Sequence, residues 1–171
     1  MPSVFINTFG CQANKSDSER ILGDYLSRGY SEVGNWKLAD EIVINTCSVR
    51  QSAEDRVTGF LLNVDKFFAG KQKPKIILTG CMLHFNEKEI RVLLPQIDEI
   101  LPIGEVGFNQ KAIRKEKDKA FIPISSGCNS FCTFCIVPFS RGRERSRPLE
   151  EIVQEVEGLA LDSYREITLL G

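Results

Sequence analysis

Surplus charge is missing from this 171-residue chain: 22 Lys and Arg face 23 Asp and Glu, for a formal net charge of −1. That balance excludes a whole-molecule basic field, so any nucleic-acid contact has to come from a local patch. Long apolar runs are missing too. No stretch approaches the roughly 18 residues of a membrane-spanning helix, and the runs at 42–44, 76–78 and 92–94 are core-sized only. Met1-Pro2-Ser3-Val4 shows no basic region followed by an apolar run, which sets the expectation of a cytoplasmic protein with no membrane partner. Low-complexity tracts and internal repeats are absent beyond a βα alternation. The 42% hydrophobic and 26% charged content belongs to a soluble globular protein and excludes disordered, collagen-like and fibrous classes.

What is present is a series of short β-branched runs at 4–9, 41–45, 75–79, 99–103, 121–125 and 167–170. Helical periodicity fills most of the gaps between them. Ser16-Asp17-Ser18-Glu19 has the spacing of a capping box ahead of Ile21, Leu22, Tyr25 and Leu26, with Gly29 as the stop. A longer helix is expected after Cys47, with Val49, Ala53, Val57, Phe60, Leu61, Val64 and Phe68 on one face. Strands alternating with helices mean crossover connections and a parallel, covered sheet, hence an α/β fold. Residues 111–119 hold five basic and two acidic residues and read as a solvated linker. The expected division is 1–115 and 120–171. The second part offers a strand, a cysteine loop, a helix from Pro148 to about Leu161 and a last strand, too little to close a core. It reads as an incomplete unit, mobile or prone to association.

Six cysteines fall into two sets. In a reducing compartment a disulfide framework is the wrong default for them. Cys11, Cys47 and Cys81 each sit just after an apolar strand, so a parallel sheet would bring them to its C-terminal edge, where such sheets bind ligands. Cys47 also precedes a helix start, a setting that favours thiolate. Three inert core cysteines are the alternative. Cys128, Cys132 and Cys135 offer three thiolates in one tight loop. Full ligation of a 4Fe–4S cluster takes four cysteines, so three leave one iron open. Zinc is the rival, but structural zinc normally completes four protein ligands. The one histidine, His84, follows the other set and reads as a surface residue. Phe131 and Phe134 are expected to wall the loop's cluster from water.

These residues carry a resemblance. The loop from Gly127-Cys128 through Cys132-Thr133-Phe134-Cys135-Ile136-Val137-Pro138 resembles the cluster loop of radical S-adenosylmethionine enzymes. With Arg141-Gly142-Arg143-Glu144 and Ser146-Arg147-Pro148 it resembles the methylthiotransferases in particular. Gly10-Cys11-Gln12-Ala13-Asn14 with Asp17-Ser18-Glu19, Asn45-Thr46-Cys47-Ser48-Val49-Arg50, and Gly80-Cys81 are similar to that family's three cysteine boxes. The first two boxes look most like the tRNA branch, the MiaB type. The ribosomal-protein branch usually has Pro-Lys after its first cysteine, which this sequence lacks.

The resemblance implies an N-terminal parallel-sheet methylthiotransferase domain followed by the start of a radical SAM partial (β/α) barrel. Cys128, Cys132 and Cys135 would ligate a 4Fe–4S cluster whose open iron binds S-adenosylmethionine. Cys11, Cys47 and Cys81 would ligate an auxiliary 4Fe–4S cluster carrying the sulfur to be inserted. The implied reaction is radical methylthiolation at C2 of N6-isopentenyladenosine, tRNA position 37. Implied partners are the tRNA anticodon stem-loop and an electron donor such as flavodoxin or ferredoxin, the sulfur donor being undetermined. Family members continue well past Gly171, so the chain resembles a truncated member without turnover of its own. Action on a ribosomal protein and a non-enzymatic iron–sulfur or redox module are the alternatives. The third box, Gly80-Cys81-Met82-Leu83-His84, departs from the family's usual small residue and Gln after the Met.

Arg141, Arg143, Arg145 and Arg147 alternate with Gly142, Glu144 and Ser146. In an extended segment the four guanidinium groups would share a face, suited to phosphate or base. The alternative is a solvated loop paired with Glu144, Glu150 and Glu151. Pro123 fits an edge strand, and Trp36, Tyr25 and Tyr30 read as packing residues.

Overall fold

A computed structural model describes residues 1–47, 51–84, 86–106, 108 and 110–171. Ser48, Val49 and Arg50 of the second cysteine box lie outside the described residues. Among the described residues no helix is long and apolar enough to cross a membrane.

Strands β1 (Ser3–Phe9), β2 (Ser31–Glu32), β3 (Glu41–Thr46), β4 (Lys75–Gly80) and β5 (Glu99–Ile100) form one sheet in the order β2-β1-β3-β4-β5. Every neighbouring pair is parallel. Helices α1 (Gln12–Ser27), α2 (Gln51–Phe68) and α3 (Glu87–Leu93) make the crossovers. Period-two alternation divides the strand side chains between two cores. Ile42, Ile44, Ile76 and Leu78 meet Val57, Leu61 and Val64 of α2 and Ile90 of α3. Val4, Val43 and Ile77 point the other way, onto Ile21, Leu22 and Tyr25 of α1. Burial of each such aliphatic side chain contributes roughly 1.5–3 kcal/mol. Trp36 packs edge-on to Phe60 and Phe67, and Tyr25 packs edge-on to Tyr30, so all three aromatics are packing residues as expected.

Helix α1 begins a full turn before the expected capping box. Its N-cap is Cys11, whose backbone amide donates to Asn14 Oδ1 at 3.3 Å. With that cap in place, Ser16 and Glu19 are free for tertiary partners, and both are buried. The helix ends at Ser27, followed by Gly29 at φ +85°.

The second part holds β6 (Lys119–Pro123) paired parallel with β9 (Glu166–Leu170), and β7 (Ser125–Ser126) paired antiparallel with β8 (Arg145–Ser146). Helix α5 (Leu149–Leu161), capped by Pro148, covers the first pair through Leu159, Ile152 and Val156. Pro123 ends β6, on the edge of a two-stranded sheet.

Within 111–119, Lys111, Lys115, Lys117, Asp118 and Lys119 are exposed, but the middle of the segment is docked. Ile113 N–H donates to the Glu19 carbonyl at 2.9 Å. The Arg114 guanidinium is buried, reaching Glu19 Oε2 at 2.7 Å and Glu155 Oε1 at 2.5 Å. Arg20 Nη2 donates to the same Glu155 oxygen at 3.3 Å, and Arg147 Nη1 to Oε2 at 2.6 Å. One carboxylate of α5 thus gathers three guanidinium groups from α1, from 111–119 and from the stretch after β8. Being desolvated beside Arg114 and Arg147, Arg20 falls below the ordinary arginine pKa, Glu155 opposing the shift. Buried ion pairs, not a flexible tether, join the second part to the first.

Candidate cysteine sites

The three strand ends that precede the first cysteine set lie in register: Phe9 opposite Thr46, and Thr46 opposite Gly80. Cys11, Cys47 and Cys81 follow them and line one cavity of about 390 Å3. That cavity sits at the C-terminal edge beside β1 and β3, where the strand order reverses, the ligand position of open α/β sheets.

Side-chain amides hold the three loops together. Asn14 Nδ2 donates to Asn45 Oδ1 at 2.8 Å and to the Thr46 carbonyl at 2.9 Å. Asn45 Nδ2 returns bonds to the Asn14 carbonyl at 2.8 Å and to Ser18 Oγ at 2.9 Å. Thr46 Oγ1 donates to the Thr79 carbonyl at 2.8 Å and accepts from Met82 N–H at 3.2 Å. Both asparagines are fully buried, so each missing bond would leave a desolvated polar group. The sequence displays Asn14 and Asn45 inside the cysteine boxes, but their pairing across 31 positions is a product of topology that no local pattern reveals.

Gly80 lets the β4 end approach β3. Its φ is +98°, and a Cβ there would press against the Thr46 backbone and the Asn45 amide. Gly80→Ala is expected to cost about 2–3 kcal/mol, from left-handed strain and overpacking. A lower urea midpoint at unchanged slope is the expected readout.

Arg141 and Asp17 face the same cavity. Arg141 Nη2 donates to Asp17 Oδ2 at 2.8 Å, and Arg141 shares the cavity lining with Cys81. Burial raises the Cys81 thiol pKa, Arg141 pulls it back, and the Cys47 and Cys11 thiols add to the rise. Burial also raises Asp17 against the opposing pull of Arg141. Arg141 itself is penalised by burial, yet Asp17 and Cys81 outweigh this and hold it above the ordinary arginine value.

The second cysteine set occupies the loop between β7 and α4 (Val137–Ser140). Cys132 is exposed, whereas Cys128 and Cys135 are half-buried. Gly127 at φ +84° lies where a Cβ would meet the Arg143 carbonyl. Phe131 takes φ +45°, a strained conformation for a bulky residue. Ser130 N–H points at Cys128 Sγ at 3.5 Å, and Cys135 N–H bonds the Cys132 carbonyl at 2.9 Å. The expected aromatic wall is not there. Phe134 is 91% exposed, and Phe131 packs edge-on to Phe139 at 6.0 Å. The loop lies on the surface of a two-stranded unit, with no described layer over its outer side.

The four arginines do not share a face either. Helix α4 and the turn at Gly142, φ +78°, interrupt the extended backbone that alternation requires. Arg141 turns inward to Asp17 and Arg147 inward to Glu155, whereas Arg143 is exposed and Arg145 reaches the Gly104 carbonyl at 3.4 Å. His84 ends the short 3-10 turn Cys81–His84, and its side chain lies outside the described residues.

Among the described residues no three His, Cys, Asp or Glu side chains close on a common point as they do around one metal ion. The first triad shares a cavity instead, with room for a group larger than an ion. Thiolate donors suit iron–sulfur clusters, and backbone N–H bonds to sulfur, as at Cys128, accompany such ligation. The donor chemistry of both sets suits such a group, and the first set also has the space for one.

Comparison with known proteins agrees with this layout. Residues 122–171 match the radical SAM superfamily, which implies an iron–sulfur cluster and S-adenosylmethionine. Proteins named tRNA-2-methylthio-N(6)-dimethylallyladenosine synthase are similar to nearly the whole chain. The one from Thermodesulfovibrio yellowstonii is 38% identical over 99% of this chain and 45% of its own length. Those from Dictyoglomus thermophilum and Chlorobium phaeobacteroides are each 39% identical, over 100% and 98% of this chain and 45% and 43% of their own lengths. The chain thus spans a little under half of these relatives. Residues 3–102, the five-stranded sheet with its three strand-end cysteines, match the uncharacterized protein family UPF0004, and to that family the chain belongs.

Proposed function

We propose that this chain is the cluster-bearing N-terminal part of a tRNA methylthiotransferase that modifies C2 of N6-isopentenyladenosine at tRNA position 37. The observation that carries the reading is the meeting of Cys11, Cys47 and Cys81 in one cavity whose far wall is Ser125, Ser126 and Gly127, the approach to the second cysteine loop. The first thiol triad thus shares a cavity with the residues that lead into the second cysteine loop. The similarity to proteins named for that reaction supports the substrate.

In this reading residues 1–115 form the methylthiotransferase domain and 120–171 begin the radical SAM core. Cys11, Cys47 and Cys81 hold an auxiliary 4Fe–4S cluster, and Cys128, Cys132 and Cys135 hold the cluster that binds S-adenosylmethionine. When bound, these groups supply one-electron chemistry that no side-chain base can match on an inert C–H bond. The protein's task is placement. Asn14 and Asn45 fix the strand-end loops, and buried Arg141 and Asp17 line the cavity of Cys11, Cys47 and Cys81. The anticodon stem-loop and a flavodoxin- or ferredoxin-type donor are the proposed partners, in a cytoplasmic setting.

Anaerobic reconstitution is expected to load about two 4Fe–4S clusters per chain. The combined change Cys128→Ala, Cys132→Ala, Cys135→Ala is expected to halve the iron and abolish the spectral response to S-adenosylmethionine. Full metal in that variant, or preference for zinc, would overturn the two-triad reading.

A further inference from the structure

Arg141 belongs by backbone to one cysteine set and by side chain to the other. The carbonyl of its neighbour Gly142 accepts the Cys128 amide at 3.1 Å, and Arg141 N–H bonds the Val137 carbonyl at 2.8 Å. Its guanidinium meanwhile bonds Asp17 of α1, and Arg141 lines the same cavity as Cys81, the residue after β4. Helix α4, immediately before it, packs on the Cys81–His84 turn. The side chains of Arg141 and Asp17 are only 11% and 16% exposed, so their charges are weakly screened.

An arginine cannot lose its proton in a protein, which makes this a permanent cation in the cavity that Cys11, Cys47 and Cys81 line. A cluster held by three thiolates is anionic, and an added electron makes it more so. A fixed positive charge in the same cavity therefore favours the reduced form. Asp17 offsets part of that effect.

We infer that Arg141 is a positioning residue that raises the reduction potential of the group held by Cys11, Cys47 and Cys81 and ties that potential to the seating of the Cys128 loop. This inference rests on the two-cluster reading above.

The test uses the chain carrying Cys128→Ala, Cys132→Ala and Cys135→Ala, which that reading leaves with one cluster; alanine at 128 keeps the amide that bonds Gly142. Iron per chain is measured first, then the midpoint by anaerobic spectroscopic titration. Arg141→Met is expected to move the midpoint to more negative potential at equal iron, with Arg141→Lys between the two. Asp17→Asn is expected to move it the opposite way. An iron-free parent overturns the two-cluster reading and this inference with it. A loaded parent whose midpoint ignores Arg141→Met overturns the inference alone. Should Arg141→Met fail to hold iron, Asp17→Asn decides, and an unchanged midpoint there overturns it.

Discussion

Replacing Glu155 with alanine is expected to destabilise the chain by about 3–5 kcal/mol and to release residues 116–171 to protease while the five-stranded sheet persists. Glu155 is the common acceptor of Arg20, Arg114 and Arg147, and Arg20 is only 2% exposed. Without the carboxylate, Arg20 keeps Ser16 Oγ, Arg114 keeps Glu19, and Arg147 keeps the Pro123 carbonyl. Three cations then face one another at the junction, with Glu19 on Arg114 and the half-exposed Glu151, 3.9 Å from Arg147, as the remaining paired carboxylates. Leaving charge buried without its partner, rather than losing a contact, is the source of the penalty. Limited proteolysis with mass spectrometry checks this. Wild-type chain should be cut slowly throughout, and Glu155→Ala chain rapidly beyond about residue 115. Equal protection of both halves in the variant would show that the ion pairs do not hold the second part.

Asn14→Ala is expected to cost roughly 3–5 kcal/mol and, with it, most of the iron assigned to Cys11, Cys47 and Cys81. The substitution strips a partner from Asn45 Oδ1, from the Thr46 carbonyl and from the Cys11 amide. Buried groups left unsatisfied lose about 1–3 kcal/mol each. Since Asn14 also caps α1, the Cys11 loop loses its fixed exit from β1. Thermal unfolding and iron content of the reconstituted chain check both halves. A variant that keeps its midpoint and its iron would mean that the amide network does not assemble the site.

Much of this architecture is legible in the residues. Unbroken apolar runs at 42–44 and 76–78 mark the strands that feed both cores, and the cysteines after them land where a parallel sheet puts them. Pro148 and the stripe Ile152, Val156, Leu159 mark α5 to within a residue. Local signals fail where tertiary partners compete for the same side chain. Ser16-x-x-Glu19 satisfies a helix-start pattern, yet Asn14 caps the helix earlier while Ser16 and Glu19 serve Arg20 and Arg114. Within 111–119 the exposed lysines follow the composition, but buried Arg114 does not, because composition does not record where a charge is buried. The alternating arginines are misread for a related reason: period two orients side chains only on extended backbone, and α4 with Gly142 breaks it.

The Glu155 cluster also has a bearing on the order of assembly. Arg20 and Glu155 lie 135 positions apart in the chain, whereas Arg147 and Glu155 are 8 apart. The near pair forms within α5 and its approach, at little cost in chain entropy. Arg114 joins across 41 positions, whereas the far pair requires the intervening chain, sheet included, to bring α1 back to the carboxylate. Long loops close late, so the second part docks onto a finished sheet and is the first to lift away from it. The cavity lined by Cys11, Cys47 and Cys81 takes part of its wall, Ser125, Ser126 and Gly127, from that second part, so its enclosure is completed last and is the first to open.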